Sequence, residues 1–216
     1  MKLIVFGATG DVGRCVVAES LRRGHEVTAV ARSREALDAL PGEMTLKTAD
    51  ILADADAPRR LMAGHDTAIG ALRPPAGQEI NLVGLTRALL VGAAETNLPV
   101  FVTGGAATLK LADGSGHTVL TAPGFLPDAV RPIAEACAAQ DALLDTMKDA
   151  AWTCLRPPAL LLQGPRTGEY AIGTDTLVTD AEGNSQISYA DFAVAMLDLA
   201  EARDSHHKRL TAGWRG

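Results

Sequence analysis

Seven residues near the start of the chain, Gly7-Ala8-Thr9-Gly10-Asp11-Val12-Gly13, constrain the fold most. They follow a short apolar run, Leu3–Phe6, and open a helix-like stretch, Val12–Arg23, that stops at Gly24. Glycines at this spacing allow a tight turn and let backbone approach a ligand closely, with a diphosphate resting on the helix N-terminus. A glycine-rich turn can also serve only to pack a helix on a sheet. Its place on the first strand–helix turn of a βαβ unit favours the nucleotide. Gly7, Thr9, Gly10, Asp11, Val12 and Gly13 are therefore candidate cofactor-binding residues.

The rest of the chain repeats that opening unit. Glu26–Ala31, Met44–Thr48, Thr67–Ala71, Val100–Thr103 and Trp152–Arg156 are short apolar or β-branched runs, as buried parallel strands require. Helical stretches lie between them at Arg34–Leu40, Glu79–Thr96 and Ile133–Lys148. The alternation predicts an α/β fold: a Rossmann-like, doubly wound parallel sheet with helices on both faces. All 216 residues are expected to form one domain, with 157–216 on the acceptor side of the cleft. Two regions break the rhythm. Gly104–Asp128 is a long glycine-rich loop, of a length that is usually functional. Pro157–Asn184 holds expected hairpin material, Gly168–Ile172 and Thr176–Thr179. After it comes a helix from about Ser188 to Ala202, capped by Ser188 with Asp191 at its third position. A last strand, Arg209–Ala212, is expected to close one sheet edge.

The end of the second strand speaks to which dinucleotide is bound. An NAD site usually places an acid there for the ribose hydroxyls, but this chain reads Arg32-Ser33-Arg34. A guanidinium pairs with a 2′-phosphate and Ser33 adds a donor, so NADP(H) is preferred and NAD(H) remains possible. The plainer reading makes these solvated residues at a helix start. Asp50-Ile51 suits an adenine amino group and ring, or equally a carboxylate capping the next turn. Ala71, Leu72 and Arg73 after strand four, and Thr103, Gly104 and Gly105 after strand five, lie on the edge where open α/β sheets bind ligands.

These residues, with Arg156-Pro157-Pro158, resemble the atypical short-chain dehydrogenase/reductases with an NAD(P)-binding fold. Ala122-Pro123-Gly124-Phe125, Gly168-x-Tyr170 and the run from Asp180 through Asn184, Ser188, Tyr189 and Asp191 to Phe192 resemble the NADH-flavin reductase branch, related to biliverdin/flavin reductase. The resemblance implies an oxidoreductase. Yet the usual acid of such enzymes, a Tyr followed four residues later by Lys, is missing. Tyr170 is followed at that spacing by Thr174, and Tyr189 by Ala193. A flavin or quinone acceptor needs no such acid, because hydride transfer leaves a delocalised anion that solvent can protonate.

The expectation is thus an NADPH-dependent reductase of a planar acceptor, with a flavin as substrate rather than bound prosthetic group. The alternative is a non-catalytic NADP(H)-binding sensor. Pro157 is a candidate at the cofactor, and Phe125 and Pro158 at the substrate. Gly104–Phe125 and Pro157–Leu162 would wall the slot. The catalytic residue is unknown; Ser115 and His117, with Thr121, are the loop's polar candidates, although a lone loop His more often faces solvent. His206-His207 reads as a surface pair. The 26 acidic against 20 basic residues, net −6, disfavour nucleic acid and anionic membranes. Three scattered cysteines without C-x-x-C spacing suggest neither disulfides nor a metal site, and no run spans a membrane. A cytoplasmic protein, monomer or homodimer, is expected.

Overall fold

The computed structural model describes residues 1–203 and 207–215. Its frame is an eight-stranded sheet built from β1 (Lys2–Phe6), β2 (Glu26–Ala31), β3 (Thr45–Thr48), β4 (Thr67–Gly70), β5 (Val100–Thr103), β6 (Trp152–Arg156), β8 (Ala171–Gly173) and β10 (Lys208–Gly213). The strands lie in the order β3-β2-β1-β4-β5-β6-β10-β8. Every pairing is parallel except that of β8 with β10. The strand order reverses between β1 and β4. A crevice at that switch point, above the carboxyl ends of the strands, is where such sheets take ligands.

Side chains alternate across the sheet and build two cores. Leu3 and Val5 of β1 enter one face with Val16 and Val17 of α1 (Asp11–Arg22), Leu37 of α2 (Arg34–Asp38) and Phe192 and Met196 of α6 (Tyr189–Ala202). Ile4 and Phe6 enter the other face. They meet Met62 of α3 (Ala57–Met62), Leu89 and Leu90 of α4 (Asn81–Thr96) and Leu144 of α5 (Arg131–Leu144). Strands buried on both faces explain why β1, β2 and β5 read as continuous apolar runs. β3 departs from this. It forms one sheet edge and its residues are mostly exposed.

Two expectations need correction. Gly168–Ile172 and Thr176–Thr179 do not form a hairpin with one another. Residues 171–173 pair antiparallel with β10, through Thr211–Gly213. Leu160–Leu162 (β7) pairs parallel with Gln186–Ser188 (β9) in a separate two-stranded sheet. Consequently β10 is not the edge strand: β8 lies outside it. The long loop after β5 is tied down as well. Leu109, Val119 and Leu177 form a small third core, and Lys110 bridges both Thr118 and Thr176. Of the expected histidine pair, His206 lies outside the described residues, while the ring of His207 stacks edge-on to Trp152.

Candidate functional site

The turn after β1 shows what each glycine does. Gly7 has a φ of +79°, and a Cβ there would stand 2.3 Å from the Ala71 carbonyl oxygen. A Cβ on Gly13 would stand 2.0 Å from the Gly7 carbonyl oxygen. Both positions therefore demand glycine, to close the turn and to seat α1 on it. The Gly7 and Ala8 amides donate to the Val30 carbonyl at 2.9 and 3.1 Å, fastening the turn to the end of β2. Gly10 differs. It is the N-cap of α1 without a side chain to cap it, and a Cβ there would meet nothing nearer than 3.5 Å. That space belongs to a cleft.

The cleft has two parts that share Gly10 and the segment Ala71–Pro75. The smaller, about 280 Å³, is lined by Gly7, Thr9, Arg32, Asp50 and Ile51. The larger, about 1420 Å³, is lined by Asp11, Val12, Thr103, Gly104, Gly105 and Pro157 on the sheet side. Phe125 and Pro158 line it farther out. Ala71, Leu72 and Arg73 line both. Gly13 and Ser33 lie outside both parts. Gly13 is a packing residue, and the Ser33 hydroxyl accepts from the Ala36 amide at 3.1 Å as the cap of α2.

The cations after β2 divide their roles. Arg34 pairs with Asp38 at 2.8 Å along α2. Arg32 is exposed, lines the smaller cavity and has no ion pair among the described residues. Asp50 does cap the next turn: its Oδ1 accepts from the Leu52 and Ala53 amides at 3.0 and 3.3 Å. One carboxylate oxygen is so occupied while the residue still borders the cavity.

Ser115 and His117 are not at the cleft. They sit exposed on a turn of the loop, Ser115 between the positive-φ glycines Gly114 and Gly116 and His117 directly after them. There Ser115 Oγ accepts from the His117 amide, and Asp113 accepts from the Ser115 amide. Neither side chain lines the cavity, although Asp113 of the same turn does. Gly104 and Gly105 line the cavity, and packing behind them is what requires glycine. A Cβ on Gly104 would stand 2.6 Å from Cys154 Sγ, and one on Gly105 2.4 Å from Cys137 Sγ. They allow the end of β5 to lie close against β6 and α5.

The tyrosines separate clearly. Tyr170 donates to Asp198 far from the cleft, and burial with that bond pushes its phenol upward. Tyr189, the first residue of α6, lines the large cavity, where burial and the Asp11 carboxylate raise its pKa while Arg73 lowers it. The sequence shows that Tyr189 lacks a lysine four residues on, but not that it borders the cavity. Its position directly after the Ser188 cap was the available signal. Ser188 Oγ accepts from the Asp191 amide at 3.0 Å, as expected. The Asp191 carboxylate instead turns to the Thr167 and Gly168 amides, the Thr167 hydroxyl and the Trp214 indole. Cys137 also borders the cavity, its thiol pushed by burial to about 11.

Among the described residues lining the large cavity there is no lysine and no histidine. No group of His, Cys, Asp or Glu among the described residues is arranged to hold a metal ion, and no described helix is long and apolar enough to cross a membrane.

Comparison with known proteins bears on this geometry. The profile of a family described as NAD(P)H-binding matches residues 7–203. Three solved structures superpose along nearly the whole chain, all three bearing provisional names. An exported protein of Burkholderia pseudomallei is 34% identical with a TM-score of 0.86, covering 99% of this chain and 100% of its own. An NADH-flavin reductase of Streptococcus pneumoniae is 28% identical with a TM-score of 0.88, covering 99% of each chain. An epimerase of Bacteroides thetaiotaomicron is 30% identical with a TM-score of 0.88, covering 100% and 97%.

Proposed function

The chain belongs to the NAD(P)H-binding family, and from that premise we propose that it is an NADPH-dependent reductase of a planar conjugated acceptor, a flavin or a quinone. The observation that carries this reading is the lining of the large cavity. It is mostly apolar and offers no lysine or histidine among the described residues, and burial raises its one phenol and its thiol. A carbonyl substrate would need a donor for its alkoxide. A conjugated ring system spreads the incoming charge and takes its proton from solvent.

The turn fits a dinucleotide on its own evidence: Gly7 and Gly13 are held against backbone, and Gly10 leaves the N-terminus of α1 open. In this reading Gly7, Thr9, Gly10, Asp11 and Val12 cradle the diphosphate, and Gly13 keeps the helix against it. Arg32 pairs with the 2′-phosphate and favours NADP(H), with Ser33 beside it through its hydroxyl proton. Asp50 and Ile51 border the adenine. Ala71, Leu72, Arg73, Thr103, Gly104, Gly105 and Pro157 surround the reactive end, and Phe125 and Pro158 the acceptor. The nicotinamide supplies a hydride when bound, and the overall exchange consumes one NADPH and one solvent proton per two-electron reduction. The chain's own contribution is orientation and exclusion of water. The flavin is a substrate that leaves, and the reaction is placed in the cytoplasm.

The test is the phenol. Tyr189→Phe and Tyr170→Phe should each keep turnover within about tenfold of the unchanged protein, under ~1.4 kcal/mol of barrier. A loss of several decades in Tyr189→Phe with cofactor affinity intact would make it an acid, and the acceptor a carbonyl.

A further inference from the structure

We propose that the acceptor end of the large cavity selects planar acceptors without negative charge and discriminates against those carrying a phosphate or carboxylate. The inference rests on the reductase reading above and names the acceptor class of that same site.

Four charged residues line the cavity among those described: Asp11, Arg73, Asp113 and Asp180. Arg73 borders both parts of the cleft and its charge acts on Tyr189 and Cys137, so the cation stands at the junction, at the reactive end of the cofactor. Asp11 opens α1 beside it. The acceptor end is left with Asp113 and Asp180, two acids and no base. The chain path brings both segments to this cavity. Lys110 bridges Thr176 in parallel, so both segments leave that bridge in the same direction. Asp113 follows on one and Asp180 on the other.

Both carboxylates are held in place. Asp113 Oδ1 accepts from the Ser115 amide at 2.9 Å. Asp180 accepts from the Asn184 amide at 2.7 Å and from Asn184 Nδ2 at 3.0 Å. Hydrogen bonds from Ser115 and from Asn184 hold the two carboxyls below the usual range, so both stay ionised at neutral pH. Lys110 and His117 lie on the loop that carries Asp113, and His117 acts on it by charge, but neither lines the cavity. Arg156 is 3% exposed beneath the floor, with its guanidinium on Thr108, the Thr174 carbonyl and Asp175. Arg131 faces Asp128.

The remaining wall is apolar and open to a ligand. Phe125, Val130 and Leu160 line the cavity and are 42%, 38% and 59% exposed. Large apolar side chains left uncovered around a concavity mark a surface for an apolar partner. Two fixed carboxylates over low-dielectric walls repel an anion entering such a slot and leave a neutral ring system unaffected.

The experiment compares riboflavin with FMN, which share a ring system and differ by a phosphate. With saturating NADPH, kcat/KM for riboflavin should exceed that for FMN by roughly tenfold or more. The FMN rate should rise with salt as the carboxylates are screened, while the riboflavin rate stays flat. The double change Asp113→Asn and Asp180→Asn keeps an acceptor oxygen for the Ser115 and Asn184 amides, giving up only the bond from Asn184 Nδ2, and should narrow the riboflavin-to-FMN ratio roughly tenfold. Equal kcat/KM for the two with no salt effect, or an unchanged ratio in a folded double variant, overturns the inference while leaving the reductase reading intact. If neither flavin is reduced, the reductase reading falls first. Quenching of flavin fluorescence with NADP⁺ present then decides the selectivity: tighter riboflavin supports it, and equal or tighter FMN overturns it.

Discussion

Two glycines three residues apart do different jobs, and substitution should separate them. Gly13 faces the Gly7 carbonyl at 2.0 Å from where a Cβ would sit, so Gly13→Ala forces backbone apart. It should cost roughly 1–3 kcal/mol or more, read as a lowered melting temperature. Gly10 faces open cleft, so Gly10→Val should fold normally yet lose NADP(H) by calorimetry. Arg32 makes the second test. Losing a charged hydrogen bond to the 2′-phosphate should weaken NADP(H) by about 1.5–3 kcal/mol, one to two decades, in Arg32→Ala. NAD(H) lacks that phosphate and should change far less; equal weakening of both removes the assignment. At this scale the sequence was a good guide where a residue acts through backbone. The glycine spacing and Arg32 could be read from their neighbours alone. Ser115 and His117 could not, because which way a loop turn points depends on Gly114, Gly116 and hydrogen bonds among Asp113, Ser115 and His117. Tyr189 and Asp180 reach the cavity only through tertiary packing.

The elements nearest the first helix are joined by charge. Glu19 of α1 is buried, yet accepts from Arg22 and Arg23 of its own helix end and from Arg166 after β7. Arg23 continues to Asp198 and Glu201 of α6. Burial alone would raise the Glu19 carboxyl; the guanidiniums of Arg22, Arg166 and Arg23 outweigh it and hold the group far below its ordinary 4.5. A carboxyl lower in the folded than the unfolded state stabilises fully above the unfolded value, and that contribution fades as pH falls through it. Stability should therefore drop as pH goes below about 4.5, and Glu19→Gln should flatten that drop. At neutral pH the same change should cost roughly 3 kcal/mol, the low end for breaking a buried pair, since Arg22 and Arg166 reach solvent. Denaturant melts at pH 7 and pH 4 measure both; an unchanged acid limb in Glu19→Gln refutes the network. Element by element, β2, β5 and β6 match the sequence expectation residue for residue, because buried strands carry their own pattern. α3 was unread: six residues with Pro58 in the first turn show no helical period. The β8–β10 pairing joins segments some forty residues apart, which no local turn signal reveals.

Across the whole molecule, the sheet sets the cofactor and the irregular segments set the chemistry. The strand order places Gly10, Arg32 and Arg73 along one carboxyl edge, and that layout was legible from alternating strands and helices. The large cavity was less so. Its far wall comes from the loop after β5 and the segment 177–186, held together by Leu109, Val119 and Leu177. What those walls lack, lysine and histidine among the described residues, is the central claim: this cleft reduces rings that need no protein acid. The most direct measurement is NADPH oxidation by the purified protein against riboflavin, an uncharged quinone and simple aldehydes. Reduction of the flavin and the quinone, with aldehydes untouched, is the predicted result. Reduction of aldehydes but not of flavin or quinone contradicts it, and binding of NADPH with no turnover on any of them makes the protein a sensor.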